Sequence, residues 1–199
     1  MQRRHYEDLG QKINLPLDYN DYDEEETGLF TTKSDYLRII NLAKLRNITV
    51  DQQFNLGEHN QDVEYDKLTI IANELDRYKK EYGLIDFNDM ILDFVKSDKS
   101  PKFDVVFIDE AQDLSRMQWD MVNHFNTQDS FIAGDDDQAI FRWAGADVDR
   151  FIAQTGKLLH LTQSMRIPRS VHDFAMKIIE RVSNRIHKEW KPKTVEGSV

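Results

Sequence analysis

Cysteine is absent from the 199 residues, which excludes a disulfide framework and any site that holds its metal through thiolates. The absence suits a reducing compartment, and a cytoplasmic location is the expectation. No apolar run approaches the length of a membrane span, and the opening MQRRHYEDLG holds no apolar signal region, so no membrane partner is expected. A surplus of positive charge is also lacking. Lys and Arg number 26 against 36 Asp and Glu, a net charge of −10. Nucleic-acid binders are usually basic, so uniform, non-specific binding is not expected and any contact with nucleic acid must be local. No internal repeat is visible. What remains is a chain 40 % hydrophobic and 31 % charged, able to bury a core and long enough for one good domain.

The chain is organised around Val105-Val106-Phe107-Ile108-Asp109-Glu110-Ala111-Gln112-Asp113. Four apolar residues, too few for a helix and without polar alternation, predict a strand buried on both faces of a parallel sheet. The strand runs into three carboxylates, which it delivers to the rim where open α/β folds bind ligands. Asp109 and Glu110 are adjacent, so one can hold a metal while the other handles a proton.

Before this stretch the pattern is helical. Residues 1–33 show little apolar periodicity, and Asp18 to Glu26 packs six acids into nine positions, predicting a solvated loop. Ser34 is placed to cap a helix bearing Leu37, Ile40 and Leu45. Residues 47–60 read as a loop. A second helix is predicted from Asp62 to Tyr82 and ended by Gly83. Asp86 can cap a third, with Phe87, Met90, Ile91, Phe94 and Val95 on one face. After the central strand, Ser115-x-x-Gln118 forms a capping-box pattern with Trp119 and Val122 inward. Phe131-Ile132-Ala133 predicts a second strand, ending in Gly134-Asp135-Asp136-Asp137-Gln138. Leu158 to Leu161 predicts a third, ending near Arg166. A long amphipathic helix over Val171–Ile186 follows Pro168, and the basic stretch from Arg181 to Lys193 reads as surface or frayed helix. Alternating strands and helices argue for a parallel α/β sheet. Its rim would collect Asp109, Glu110, Asp113, Asp135, Gln138 and Arg166.

That set of residue types suits nucleoside triphosphate hydrolysis. Mg²⁺ takes one or two carboxylates plus phosphate oxygens and water. A second carboxylate can activate water, Gln can sense the terminal phosphate, and Arg can stabilise its developing charge. Residues 107–113 resemble motif II of the UvrD/Rep/PcrA-like superfamily 1 DNA helicases. Gly134 to Asp147, GDDDQAIFRWAGAD, resembles their motif III, and Leu161-Thr162-Gln163-Ser164-Met165-Arg166 their motif IV. Leu84 to Ile91 resembles the segment preceding motif II. The close resemblance covers about residues 84–170.

The resemblance implies an ATP-dependent motor on single-stranded DNA and an α/β fold: part of a RecA-like P-loop NTPase parallel sheet preceded by a helical subdomain. It implies a helical subdomain (inserted, 1B-like) over 1–83, a partial motor domain over 84–164, and the start of a second motor domain or a linking helix over 165–199. Asp109 would coordinate Mg²⁺ and Glu110 would activate water. Gln112, Gln138 and Arg166 would contact ATP, with Gln138 coupling to the DNA side and Arg166 acting as arginine finger. Phe141 and Trp143 would stack on DNA bases. Two positions depart from the family pattern: Ala144 stands where Arg is usual, and Met165 where Tyr is usual. No G-x-x-x-x-G-K-[ST] phosphate cradle occurs in the 199 residues; the only Gly-Lys pair, Gly156-Lys157, is followed by Leu158. The expectation is therefore part of a helicase, completed by missing segments or a complementing chain and inactive alone. A non-catalytic, helicase-derived binding or regulatory module is the alternative, and a metal-dependent nuclease on the acidic rim is a third reading.

Overall fold

The computed structural model describes residues 1–17 and 34–198. The acidic run from Asp18 to Glu26 lies outside the described residues. Five helices come first: α1 (Arg3–Lys12), α2 (Asp35–Leu45), α3 (Val50–Asn55), α4 (Tyr65–Tyr82) and α5 (Phe87–Lys96). Strand β1 (Lys102–Ile108), helix α6 (Arg116–His124) and strand β2 (Asn126–Ile132) follow, then α7 (Val148–Ile152) and α8 (Arg169–Ile179). The whole is a mixed helix-and-strand fold with a small parallel sheet.

Local chemistry accounts for most boundaries. Asp86 accepts the Asp89 amide at 2.8 Å, and Asp89 accepts the Asp86 amide at 3.0 Å, a reciprocal cap that starts α5. Ser115 and Gln118 start α6 in the same way. Gly83, at φ +61°, ends α4 in the left-handed conformation that costs glycine nothing. Two helices escaped the sequence reading. The 47–60 loop contains α3, started by a Thr49–Gln52 capping box, and the ragged start contains α1. Both lie on short segments whose few apolar residues give no sustained period.

The helices build one core, in which Leu9, Leu37, Ile39, Leu68 and Ile71 are buried. A second, smaller core beneath the sheet gathers Ala111, Trp119 and Phe151, with Ile108, Val122 and Ile132 packed on it. Between them stands a salt-bridge network. Lys79 and Lys44 each reach Asp89 at 2.7 Å, and both also contact Asp86. The network fastens α2 and α4 to the first turn of α5.

The sheet corrects the sequence reading in two ways. β1 and β2 pair in parallel, with Phe107 opposite Phe131 and Ile108 opposite Ile132, and they are the only strands of the described sheet. Leu158 to Leu161 forms no strand and is exposed. β1 is also not buried on both faces. Ile108 and Ile132 turn toward the second core, while Phe107 is 76 % and Phe131 57 % exposed. These two rings stack on the open face at 5.0 Å. An apolar run reports that a strand is suited to burial; only neighbouring elements can bury it. The last helix likewise stops at Ile179, and Val182 and Ile186 lie beyond it.

Candidate functional site

The parallel pair sends the chain out of β1 and β2 side by side. The amide of Ala133 donates to Ile108 O at 2.8 Å and that of Ala111 to Ala133 O at 2.9 Å, so the strand ends are locked together. Between these bonds Glu110 takes φ +50°, a left-handed conformation that costs a non-glycine residue about 1 kcal/mol or more. Such strain persists only where surrounding bonds over-determine it. The Glu110 amide donates to Asp109 Oδ1 at 3.0 Å and the Asp113 amide to Glu110 O at 3.0 Å. The result is a sharp reversal that leaves the side chains of Asp109 and Glu110 exposed at the carboxyl end of the strand.

Gln112 is the hub beneath them, only 2 % exposed. Its Nε2 donates to Glu110 Oε2 at 2.9 Å and to Asp113 Oδ2 at 3.1 Å. Its Oε1 accepts the Asp135 amide at 2.9 Å. One side chain thus ties the turn after β1 to the turn after β2. Gly134 leaves room for it: a Cβ there would lie 2.6 Å from Gln112 Oε1 and 2.9 Å from the Phe151 ring. Asp113 is held above the usual carboxylate range, chiefly by burial, with Glu110 adding to it. Burial alone would also raise Asp135, but hydrogen bonds from Lys188 and Gln138 outweigh it and hold that carboxyl low. Gln138 Nε2 donates to Asp135 Oδ2 at 2.6 Å, so its carboxamide is turned onto this carboxylate.

Beyond Gln138 the chain makes a tight turn over Arg142–Ala144, closed by Gly145 at φ +102°. Trp143 stands 60 % exposed at the edge of a groove of about 820 Å³. Arg38, Arg46, Arg116 and Arg142 line this groove, together with Glu58 and Asp149. Arg142 forks onto Asp149 at 3.1 and 3.2 Å, and Arg46 reaches Arg142 O at 3.4 Å. Phe141 is half-buried, its ring centroid 6.5 Å from that of Trp143.

The structure therefore brings Asp109, Glu110, Gln112, Asp113, Asp135 and Gln138 to one rim, with Phe141 and Trp143 a short turn away. Arg166 belongs to a different feature. Its amide donates to Ser164 Oγ at 3.2 Å, in a segment that pairs with the C-terminal stretch through Ser164 N to Lys191 O and Lys191 N to Thr162 O, both 2.8 Å. With no third strand among the described residues to carry it, Arg166 is positioned by that pairing. Met165 beside it is 81 % exposed. Two contributions were invisible in sequence. Arg38 and Arg46 come from the helical part, remote in the chain from the Arg142–Ala144 turn they approach. Of the basic stretch after Arg181, expected as surface or frayed helix, most is exposed, but Arg185 and Lys188 dock on the rim, their side chains 8 % and 17 % exposed. No short-range pattern announces either.

The family model described as UvrD/REP helicase N-terminal domain covers residues 2–158, and the chain belongs to that family. Among individual proteins it is similar to the ATP-dependent DNA helicase PcrA of Bacillus subtilis, 30 % identical over 129 residues, covering 57 % of this chain and 18 % of that protein. A probable DNA helicase II homolog of Mycoplasma pneumoniae is 26 % identical over 165 residues, 73 % of this chain and 23 % of the relative. The ATP-dependent DNA helicase srs2 of Schizosaccharomyces pombe is 30 % identical over 122 residues, 55 % and 14 % respectively. The chain spans about a fifth of the length of the first two of these relatives.

Proposed function

We propose that the chain is part of an ATP-dependent DNA motor, in which it supplies the metal-and-water half of the nucleotide site and an aromatic contact for single-stranded DNA. One observation carries the reading. Gln112 physically joins the exposed Asp109–Glu110 pair to the turn that bears Gln138 and presents Trp143, so chemistry at one end can be felt at the other.

In this reading Asp109 would hold Mg²⁺ and Glu110 would orient and deprotonate the attacking water. Among the described residues no group of three or more His, Cys, Asp or Glu could cage a metal ion. The exposed Asp109–Glu110 pair offers what Mg²⁺ would need from protein, one or two carboxylates, with water and phosphate oxygens completing its shell. The ion supplies charge neutralisation on the phosphates when bound. Gln138 leaves Asp135 to meet the terminal phosphate, Gln112 supports it, and Arg166 approaches as arginine finger through a movement of its segment. Trp143 and Phe141 stack on bases, and the groove arginines meet phosphates. Stacking binds any base and tolerates the acidic net charge.

The chain divides, in the same reading, into a helical subdomain (1–83), part of a RecA-like motor domain (84–164) and the start of a second motor domain or linking helix (165–199). The exposed Phe107–Phe131 face supports covering of the sheet by motor segments outside these 199 residues, supplied by the same polypeptide or by a complementing chain. Among the described residues no helix is long and apolar enough to cross a membrane.

Anisotropy of a labelled oligonucleotide tests the DNA side. Binding should weaken by roughly tenfold in Trp143→Ala, the loss of one stacked base being worth about 1–3 kcal/mol; equal binding by both proteins would remove this interface. Calorimetry tests the nucleotide side. ATP·Mg²⁺ should bind weakly and turn over negligibly in the chain alone, and activity should appear when a P-loop segment is added in trans. A folded complex that stays inactive would favour a non-catalytic binding or regulatory module.

A further inference from the structure

The turn Asp135–Gln138 carries three successive aspartates, which repel one another unless cations are close. The cations come from the far end of the chain. Arg185 forks onto Asp137, Nε to Oδ1 at 2.7 Å and Nη2 to Oδ2 at 2.6 Å. Lys188 Nζ lies 2.8 Å from Asp135 Oδ1 and 3.2 Å from Asp137 Oδ2, and also donates to Asp136. The Ile186 amide donates to Asp136 Oδ2 at 2.6 Å. These are shielded contacts: the Asp136 side chain is 3 % and the Lys188 side chain 17 % exposed. A fork on a carboxylate fixes orientation as well as charge.

The consequence lies in what Asp135 does with its two oxygens. Oδ1 holds Lys188, and Oδ2 holds the Gln138 carboxamide at 2.6 Å. Its backbone amide holds Gln112 Oε1, and Gln112 holds Glu110. A continuous path of bonds therefore runs from Lys188 through Asp135 to Gln138 on one branch, and through Gln112 to Glu110 on the other.

We infer that Arg185 and Lys188 are positioning residues for the rim: the segment Arg185–Lys188 straps the three aspartates and, through Asp135, sets where Gln138 and Gln112 point. The inference rests on the reading of Glu110 and Gln138 as the working residues of that rim. It makes the 185–188 segment a coupling element rather than a surface tail. Strap engaged, Gln138 is parked on Asp135; strap released, the repelling aspartates spread and Gln138 is free to turn outward.

Side-chain amide signals of Gln112 and Gln138 in ¹⁵N-edited NMR spectra provide the test. Lys188→Met should shift both, and backbone amide exchange at Asp135 and Gln138 should rise about tenfold, the size expected for one lost charge-assisted hydrogen bond. Lys188→Arg should restore the native signals, because charge is what matters. Lys193→Met, a basic residue of the same stretch outside the strap, should leave them unchanged. Unmoved Gln signals in Lys188→Met would overturn the inference. So would failure of rescue by Lys188→Arg, or exchange rising equally throughout the protein, which would mark a general brace. Should Lys188→Met not fold, Lys188→Gln, which removes the charge but keeps a polar side chain of similar reach, is held to the same criteria. Oligonucleotide anisotropy on the same samples separates the two readings. Absent DNA binding would remove the motor reading and leave the strap standing, whereas unmoved Gln signals with intact binding would do the reverse.

Discussion

Replacing Gln112 by Met keeps the length and volume of a buried side chain and deletes all its hydrogen bonds. Three partners are then stranded, and they do not cost the same. The Glu110 carboxylate is exposed and can take water, so its loss is small. Asp113 is different: its Oδ1 is already buried without a partner, and Gln112 supplies the bond to Oδ2. The Asp135 amide is part-buried and has Gln112 as its acceptor. Two stranded groups at about 1–3 kcal/mol each, the cost of leaving a buried partner unsatisfied, give a destabilisation of about 2–6 kcal/mol. In a chain of this size that lowers Tm by roughly 5–25 °C. Gln112→Glu probes the same hub through charge. It keeps the shape, exchanges a donor for a carboxylate, and places it beside Glu110 and Asp113. The new carboxyl is buried among acids, so its folded pKa lies above its unfolded value of about 4.3. The native state then binds more protons than the unfolded state across that window, and stability must fall as pH rises through it. Urea unfolding followed by tryptophan emission measures both variants. The Met variant should lose stability at every pH, and the Glu variant should recover most of its loss near pH 4. A Met variant with the native midpoint, or a Glu variant indifferent to pH, would refute Gln112 as the structural hub.

Three further outcomes are expected. Gly134→Ala places a Cβ against Gln112 and the buried Phe151 ring, and should cost about 1–3 kcal/mol by overpacking; calorimetric melting checks it. Acid should destabilise the protein, because Asp89 and Asp135 are held low in the fold. In each, burial works toward a raised pKa and is outweighed, in Asp89 by the Asp86 amide and by Lys44 and Lys79, in Asp135 by Lys188 and Gln138. Depressed carboxylates stabilise above their unfolded value and lose that contribution as pH falls through the folded one, so the urea midpoint should drop between about pH 5 and pH 2. Asp113, held high, opposes this and is outnumbered. Lys79→Met leaves Asp86 and Asp89 with Lys44 alone; it should lower stability by about 3 kcal/mol at pH 7, as breaking a buried pair does, and flatten the acid transition.

The sequence by itself determined what depends on neighbours along the chain. Asp86 and Ser115 each find a partner three residues on, so the starts of α5 and α6 were legible, as was the end of α4 at Gly83. The order of motif-like stretches was legible too, and with it the family that the match over residues 2–158 shows. Asp109, Glu110 and Gln138 could be placed on one rim because parallel strands end on the same side. Tertiary structure decided everything that depends on residues distant in the chain. It left β1 with an open aromatic face, because burial is a property of what packs on a strand and not of its composition. It denied Leu158 to Leu161 a strand and paired the Arg166 segment with the C-terminal stretch instead. It made Gln112 a hub, brought Arg46 to Arg142, and carried Arg185 and Lys188 onto the aspartates of residues 135–137. Short-range pattern is set by caps and periodicity; charge pairing and hydrogen bonds across some fifty to a hundred residues are set by the fold alone.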